Sequence, residues 1–273
     1  MNSSTSKHIC KSCDNRFTGL YCNLCGEKVI LPADRSFKSL LSSILIAITF
    51  ADSKVFRTLS YVLTKPGFVS AEIAEGRTVR YLRPLSLFFV LNLVYFLFPL
   101  IQLFNASWKT QLGTTYGKMV MTMSSFKMVE GKIPTDAFEL LYNETTVGYA
   151  KLLVIVFAIL ASLPLNILYK KSERFFTDHV GLMVELACFN LFVNALVITL
   201  MAKILPIGEL LNENVLTVIF ILTNLYFLVR SSSIFYQETG WGLAFKSVVQ
   251  LAVLKVALEA YRLILFLVTI WLM

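Results

Sequence analysis

The chain has 273 residues, 56% of them hydrophobic and only 15% charged, with a net charge of +8. Soluble domains average about 25% charged residues, so this composition excludes an ordinary soluble globular protein and points to a membrane protein. Much of the cationic excess precedes the first long apolar stretch: nine Lys/Arg against four Asp/Glu lie between Lys28 and Pro84. A basic cluster there suits anionic lipid headgroups. Residues 1–27 carry no dense Arg/Lys run, so nucleic acid is set aside as a partner.

The chain opens on polar residues with no apolar h-region, so no secretory signal peptide is expected. Cys10, Cys13, Cys22 and Cys25 then form two C-x-x-C pairs eight residues apart. Two residues between thiolates let one tight turn aim both sulfurs at a single ion, and two such knuckles have the spacing of a tetrahedral four-cysteine zinc site. Gly26 follows the second pair, where the turn favours a residue tolerant of positive φ. Two disulfides, or four free thiols, are the competing reading. Residues 8–27 are too few to build a core without metal, so one structural zinc is expected to supply most of their folding free energy, about 10–16 kcal/mol gross. Phe17, Leu20 and Tyr21 are the expected apolar cap. Zinc thiolates persist in a reducing compartment, which places this ribbon in the cytoplasm, available to a protein partner.

Residues 28–84 read as cytoplasmic or interfacial helices ending in a basic collar. Between residues 36 and 50, Phe37, Leu40, Leu41, Ile44, Leu45 and Ile48 share one helical face. That run is shorter than the ~20 residues a span needs, so it either lies in the interface or packs on the bundle. A helix over 53–64 is stopped by Pro66-Gly67, and a second over 69–75 by Gly76. Arg77, Arg80 and Arg83 follow at intervals of three, a collar of the positive-inside kind facing lipid headgroups.

The cysteine ribbon, Phe37-Lys-Ser-Leu-Leu, Thr58-Leu with Lys65-Pro66-Gly67, and Glu75-Gly76-Arg77 with Arg80-Tyr81 and Pro84 together resemble domain of unknown function 3667. The resemblance covers about residues 10–100 and returns at Phe176-Thr-Asp178-His179. It implies a bacterial inner-membrane protein with an N-terminal zinc ribbon and several membrane helices, and it implies no known activity. Where the family pattern continues with further histidines, this chain carries Glu185 and Ala187.

Pro84 suits the first turn of a helix. Residues 85–273 form the transmembrane domain, with spans expected at 85–104, 150–169, 181–205, 210–229 and 251–273. The predicted fold class is thus an all-α multi-pass membrane protein of about five helices with a small N-terminal zinc ribbon. Residues 105–149 read as a neutral, largely irregular outer loop, with four Lys and four acidic residues. Within it Met119, Met121 and Met123 alternate, as on a strand covering the bundle mouth; copper ligation by these thioethers is the weaker reading. Cys188 reads as a small core residue.

Five residues form a candidate intramembrane polar site: His179, Glu185, Lys255, Glu259 and Arg262. Ionisable side chains in a membrane are costly and are usually paired or functional. Lys255, Glu259 and Arg262 share a face of the last helix, where Lys255 and Glu259 make an i, i+4 pair. Glu185 is a candidate to meet Lys255 or Arg262 across the bundle. His179 and Glu185 are six residues apart and face different sides of a helix, so they make no metal pair alone. No phosphate-cradling loop, nucleophile elbow or H-E-x-x-H motif appears, so a positive case for an enzyme is missing. The sequence thus favours a non-enzymatic scaffold or regulatory protein. A transporter or channel subunit using the intramembrane charges, or a lipid-modifying enzyme, stay open as alternatives.

Zinc chemistry and charge bias give the same orientation: N-terminus inside, C-terminus outside, residues 105–149 exported. Single cysteines replacing Ser107 and Ser172, in a chain without its native cysteines, are expected to react oppositely with an impermeant thiol reagent in intact cells. Labelling of the residue-172 cysteine alone would invert the topology.

Overall fold

The computed structural model describes residues 7–10, 13–24, 54–77, 80–97, 104–204 and 213–273. Cys25, Gly26, the 36–50 amphipathic stretch, residues 98–103 of the first expected span and most of the acidic loop after Leu205 lie outside these. The chain divides into two compact units, Met1–Ser53 and Lys54–Met273.

In the first unit, β1 (Lys7–Ile9) and β2 (Arg16–Thr18) pair antiparallel, with His8 opposite Phe17. The turn between them starts the first knuckle. Cys10 donates its N–H to Asn15 O at 2.9 Å, and Asp14 N bonds Cys10 O at 3.0 Å. Asp14 takes a positive φ of 54°, the left-handed conformation that Asp tolerates better than most residues. Phe17 packs on the cysteines as expected. Leu20 and Tyr21 are exposed and do not complete the cap: a hairpin this short has one inner face and room on it for one ring.

The second unit is helical. Residues 54–64 form α1, and α2 spans Phe68–Ala74. Both stops follow local rules. Gly67 between them has φ 83°, and Gly76 after α2 has φ 84°. At the second stop Gly76 N bonds Ile73 O at 2.9 Å and Arg77 N bonds Glu72 O at 2.8 Å, the paired bonds of a Schellman motif. Tyr61, Phe68 and Tyr81 pack ring to ring around this elbow.

Helix α3 (Pro84–Leu97) opens on proline as expected. Residues 105–149 depart from expectation. In place of an irregular loop they hold α4 (Trp108–Leu112), α5 (Gly117–Gly131) and the first half of α6 (Thr135–Ser162). The methionines therefore lie on a helix. Met119 and Met123 are one turn apart and Met121 points elsewhere, so no alternating thioether row exists. The cause is tertiary. Trp108, Val120, Phe138 and Tyr142 bury against Phe266 and Ile270, and burial outweighs the weak helix propensity of Gly, Ser and Thr.

Pro164 follows α6 and starts the short α7 (Leu165–Leu168). Next come α8 (Phe176–Asn190), a π-helical segment (Leu191–Val197) and α9 (Ile198–Ile204), which run on as one rod. Helix α10 (Glu213–Phe235) and α11 (Gly240–Leu272) complete the unit. Arg230 and the three serines after it belong to α10, which runs past the expected span end at 229, and only four residues separate it from α11. Among the described residues three helical stretches are long and apolar enough to cross a membrane: Thr135–Leu168, Phe176–Ile204 and Val215–Phe235. A shorter apolar helix covers Pro84–Tyr95. The 33-residue α11 is long enough but carries four charges, Lys246, Lys255, Glu259 and Arg262. The core gathers around α8, whose Leu182, Met183, Leu186 and Cys188 are fully buried. Cys188 is the core residue its surroundings suggested, its Sγ 3.6 Å from Pro84 O.

The positive-φ glycines at the two helix stops, Gly67 and Gly76, differ in surroundings. A Cβ on Gly67 would stand 2.9 Å from Ser231 Cα and Cβ, whereas one on Gly76 would meet nothing. Gly76→Ala is expected to cost only the conformational term, about 1–2 kcal/mol. Gly67→Ala should add about 1–3 kcal/mol for the clash. Thermal melting of the detergent-solubilised variants checks the order.

Candidate functional site

Two groups of side chains carry candidate chemistry. The first is in the ribbon. The Sγ atoms of Cys10, Cys13 and Cys22 all lie within 4.8 Å of one another. Cys13 and Cys22 sulfurs are 3.6 Å apart, and Asn15 Nδ2 lies 3.8 Å from Cys22 Sγ. Cys10 and Cys22 are buried and none of the three is disulfide-bonded. Three cysteine sulfurs converging from two turns are the donor set of a metal ion, so the residues present fit one. Cys25 lies outside the described residues.

The second group is organised by α8. Glu185, fully buried, points at the start of α2. Its Oε1 accepts from Gly67 N at 2.8 Å and its Oε2 from Ser70 N at 2.9 Å, with the Ser70 hydroxyl donating to the same oxygen. The first N–H groups of a helix have no partner within it, and the helix dipole favours a negative group there. A carboxylate 115 residues away in sequence thus caps the helix whose N-cap position, Gly67, has no side chain to do so. This corrects the expected pairing: Glu185 meets neither Lys255 nor Arg262, because α2 lies against the face from which Glu185 projects.

His179, also buried, turns to another partner. Its Nδ1 lies 2.6 Å from Tyr236 Oη. The Tyr236 ring stacks on Tyr169 with centroids 3.5 Å apart. Tyr169 Oη bonds Ser232 Oγ at 2.7 Å and donates to Gln250 Oε1 at 3.4 Å. Lys246 sits over the Tyr169 ring and pairs with Glu238. His179 and Glu185 therefore belong to separate networks, as their six-residue spacing implied.

Lower on the rod, Asn190 Nδ2 donates to Asn224 Oδ1 at 3.0 Å. Asn194 Nδ2 reaches Asn190 Oδ1 at 2.7 Å and Thr223 Oγ1 at 3.1 Å. These amides, and Gly67, Ser70, Tyr169, Tyr236, Ser232 and Gln250, escaped the sequence reading. The signal available was amides four residues apart inside an apolar run.

The remaining candidates stay on their own elements. Lys255 Nζ is 2.8 Å and Arg262 Nη1 3.6 Å from Glu259 Oε1. The triplet is the local cluster that i, i+4 and i, i+3 spacing allows. Arg77 turns back on α2. It bonds Glu72 through Nε at 2.9 Å and Nη2 at 2.6 Å, and also pairs with Glu75. Its guanidinium holds the Glu72 carboxyl below its usual range. Arg80 and Arg83 are exposed.

The model of a family described as a protein of unknown function (DUF3667) matches residues 52–96. The resemblance read from the sequence is therefore supported over the stretch holding α1, the Lys65-Pro66-Gly67 elbow, α2, its Schellman stop and all but the last residue of α3. The match includes Gly67 and Ser70, the donors to Glu185. It does not reach the cysteines or Phe176–His179. No curated protein and no solved structure matches the chain. The match and the apolar helices together fit a membrane protein of unknown activity.

Replacing Glu185 by Leu strands three buried donors, at about 1–3 kcal/mol each. Glu185→Gln keeps one good acceptor and should lose less, and Ser70→Ala least, about 1 kcal/mol. Glu259→Leu breaks only partly exposed pairs, about 0–1 kcal/mol each. The expected order of melting temperatures in detergent is parent, Ser70→Ala, Glu185→Gln, Glu185→Leu, with Glu259→Leu well above Glu185→Leu.

Proposed function

We propose that this protein is a non-enzymatic scaffold or regulator of a bacterial inner membrane. In this reading it has five spans, a cytoplasmic N-terminus and an external C-terminus. Its ribbon holds one zinc on Cys10, Cys13, Cys22 and Cys25 and presents a docking surface to a protein partner. The convergence of Cys10, Cys13 and Cys22 carries the reading. A regular tetrahedron with ~2.3 Å zinc–sulfur bonds separates its sulfurs by about 3.8 Å, and Cys13 and Cys22 are 3.6 Å apart. The C-x-x-C spacing nominates Cys25 as the fourth ligand. Helices α3 and α11 are the further two spans. Arg80 and Arg83 supply the exposed part of the collar for anionic headgroups; Arg77 is engaged with Glu72 and Glu75.

Scaffolding is favoured over transport because each buried polar group of α8 named above is bonded to protein. Lys255, Glu259 and Arg262 pair with one another on α11 and do not continue to Glu185. A lipid-modifying site joining His179 to Glu185 is disfavoured by their separate partners.

Elemental analysis of the purified chain is expected to find one zinc, lost in Cys22→Ser while the helical unit melts as before. Absence of metal, or zinc unaffected by Cys22→Ser, overturns the ribbon. Proteoliposomes should pass no Na+, K+ or proton flux; a flux abolished by Glu185→Gln would transfer the reading to transport.

A further inference from the structure

Between α5 and the end of α11 runs an open groove of about 740 Å³, within the ~300–1,000 Å³ of small-molecule clefts. Met123 and Phe126 from α5, and Leu267, Val268, Ile270 and Trp271 from α11, line it. The contributing positions on each helix fall on one face, so the groove is a seam between two rods. Trp271 and Phe126 stand open at 81% and 70% exposure. Met121 and Val129 on α5 and Leu140 on α6 are exposed as well. An apolar face this extended is covered in a working protein, and the neighbouring α6 is one of the helices able to cross a membrane.

Two charged side chains also line the groove, Lys127 and Glu130, three residues apart on α5. Neither has an ion-pair partner among the described residues, unlike Lys109, which reaches Glu139 at 3.0 Å in the same lobe. An apolar trough bearing one unpaired cation and one unpaired anion is complementary to an amphiphile with the same three parts. We infer that this groove binds a zwitterionic phospholipid of the ethanolamine class, its acyl chain along Met123, Phe126 and Ile270. The phosphate then meets Lys127 and the primary ammonium donates to Glu130. A choline headgroup has no N–H to give Glu130 and binds less well. Anionic headgroups without an amine, such as phosphatidylglycerol, leave Glu130 unanswered, which separates this site from a generic basic lipid contact. The inference uses the membrane character of the chain and is independent of the ribbon and of the number of spans.

Trp271 is the reporter. In Trp241→Phe the remaining tryptophans are Trp271 and the buried Trp108, and a Trp241→Phe/Trp271→Phe chain gives the background. Full-length protein in detergent is titrated with phosphatidylethanolamine carrying brominated acyl chains. The expected result is saturable quenching of Trp271 at one lipid per chain. Brominated phosphatidylcholine should bind about fivefold more weakly, and Lys127→Gln and Glu130→Gln should each weaken the ethanolamine lipid by about fivefold. Both residues are at the surface, and unchanged melting of the variants shows that the fold persists. Quenching that does not saturate, that is equal for the two headgroups, or that ignores both substitutions overturns the proposal. So does a detergent-stable dimer dispersed by Trp271→Ala, which would assign the groove to a second copy of the chain.

Discussion

The carboxylate of Glu185 seated on the first turn of α2 is the contact on which the arrangement around α8 depends. An ionised group deep among helices is destabilising unless donors surround it, and three do so here, from Gly67 and Ser70. They come from a helix that begins with glycine and has no cap of its own. Each partner removes the other's deficit. The same glycine lets α10 approach, with Ser231 against its Cα. A side chain at position 67 would separate the elbow from α10, and a different residue at 185 would leave α2 uncapped. The elbow is therefore held by α8 through charge and by α10 through close packing.

The rod formed by α8, the π-helical segment and α9 repeats this logic further along. Asn190 and Asn194 lie in apolar surroundings and satisfy each other, Asn224 and Thr223. In lipid no water completes such bonds, so side-chain amides join helices directly. The π-helical geometry begins one residue after Asn190. Widened turns of this kind re-aim side chains, and here both amides face α10.

The second half of α11 is held by different means. Tyr261 Oη bonds Ala150 O at 3.1 Å, and Gln111 Nε2 bonds Arg262 O at 3.0 Å. Helices α6 and α4 thus hold the final helix just where its charges interrupt the apolar run. Lys255 and Arg262 share the Glu259 carboxylate locally, which lets the helix keep them without a partner on α8.

Short-range physics made the first knuckle and the stops between residues 54 and 84 legible. Pro66-Gly67 and Gly76 end helices because no other residue types accept those backbone angles as readily. Pro84 begins one because its ring presets φ, and the cysteine spacing brings Cys10, Cys13 and Cys22 together through turns of a few residues. The apolar runs likewise declared membrane helices by composition. Residues 105–149 were not legible, since their large apolar side chains, scattered among Gly, Ser and Thr, become helix-stabilising only when Phe266 and Ile270, over 100 residues later, cover them. The end of α10 was misread for the same reason: Ser231 and Ser232 look like loop residues until Gly67 and Tyr169 bury them. Glu185 announced itself as an unusual charge, but its partners are backbone N–H groups, which carry no residue identity to read. Sequence alone determined which segments are apolar, where the helices flanking Gly67 and Gly76 stop and which thiols can share an ion. The tertiary structure decided which buried polar group answers which, because that depends on contacts between segments distant along the chain that no local spacing encodes.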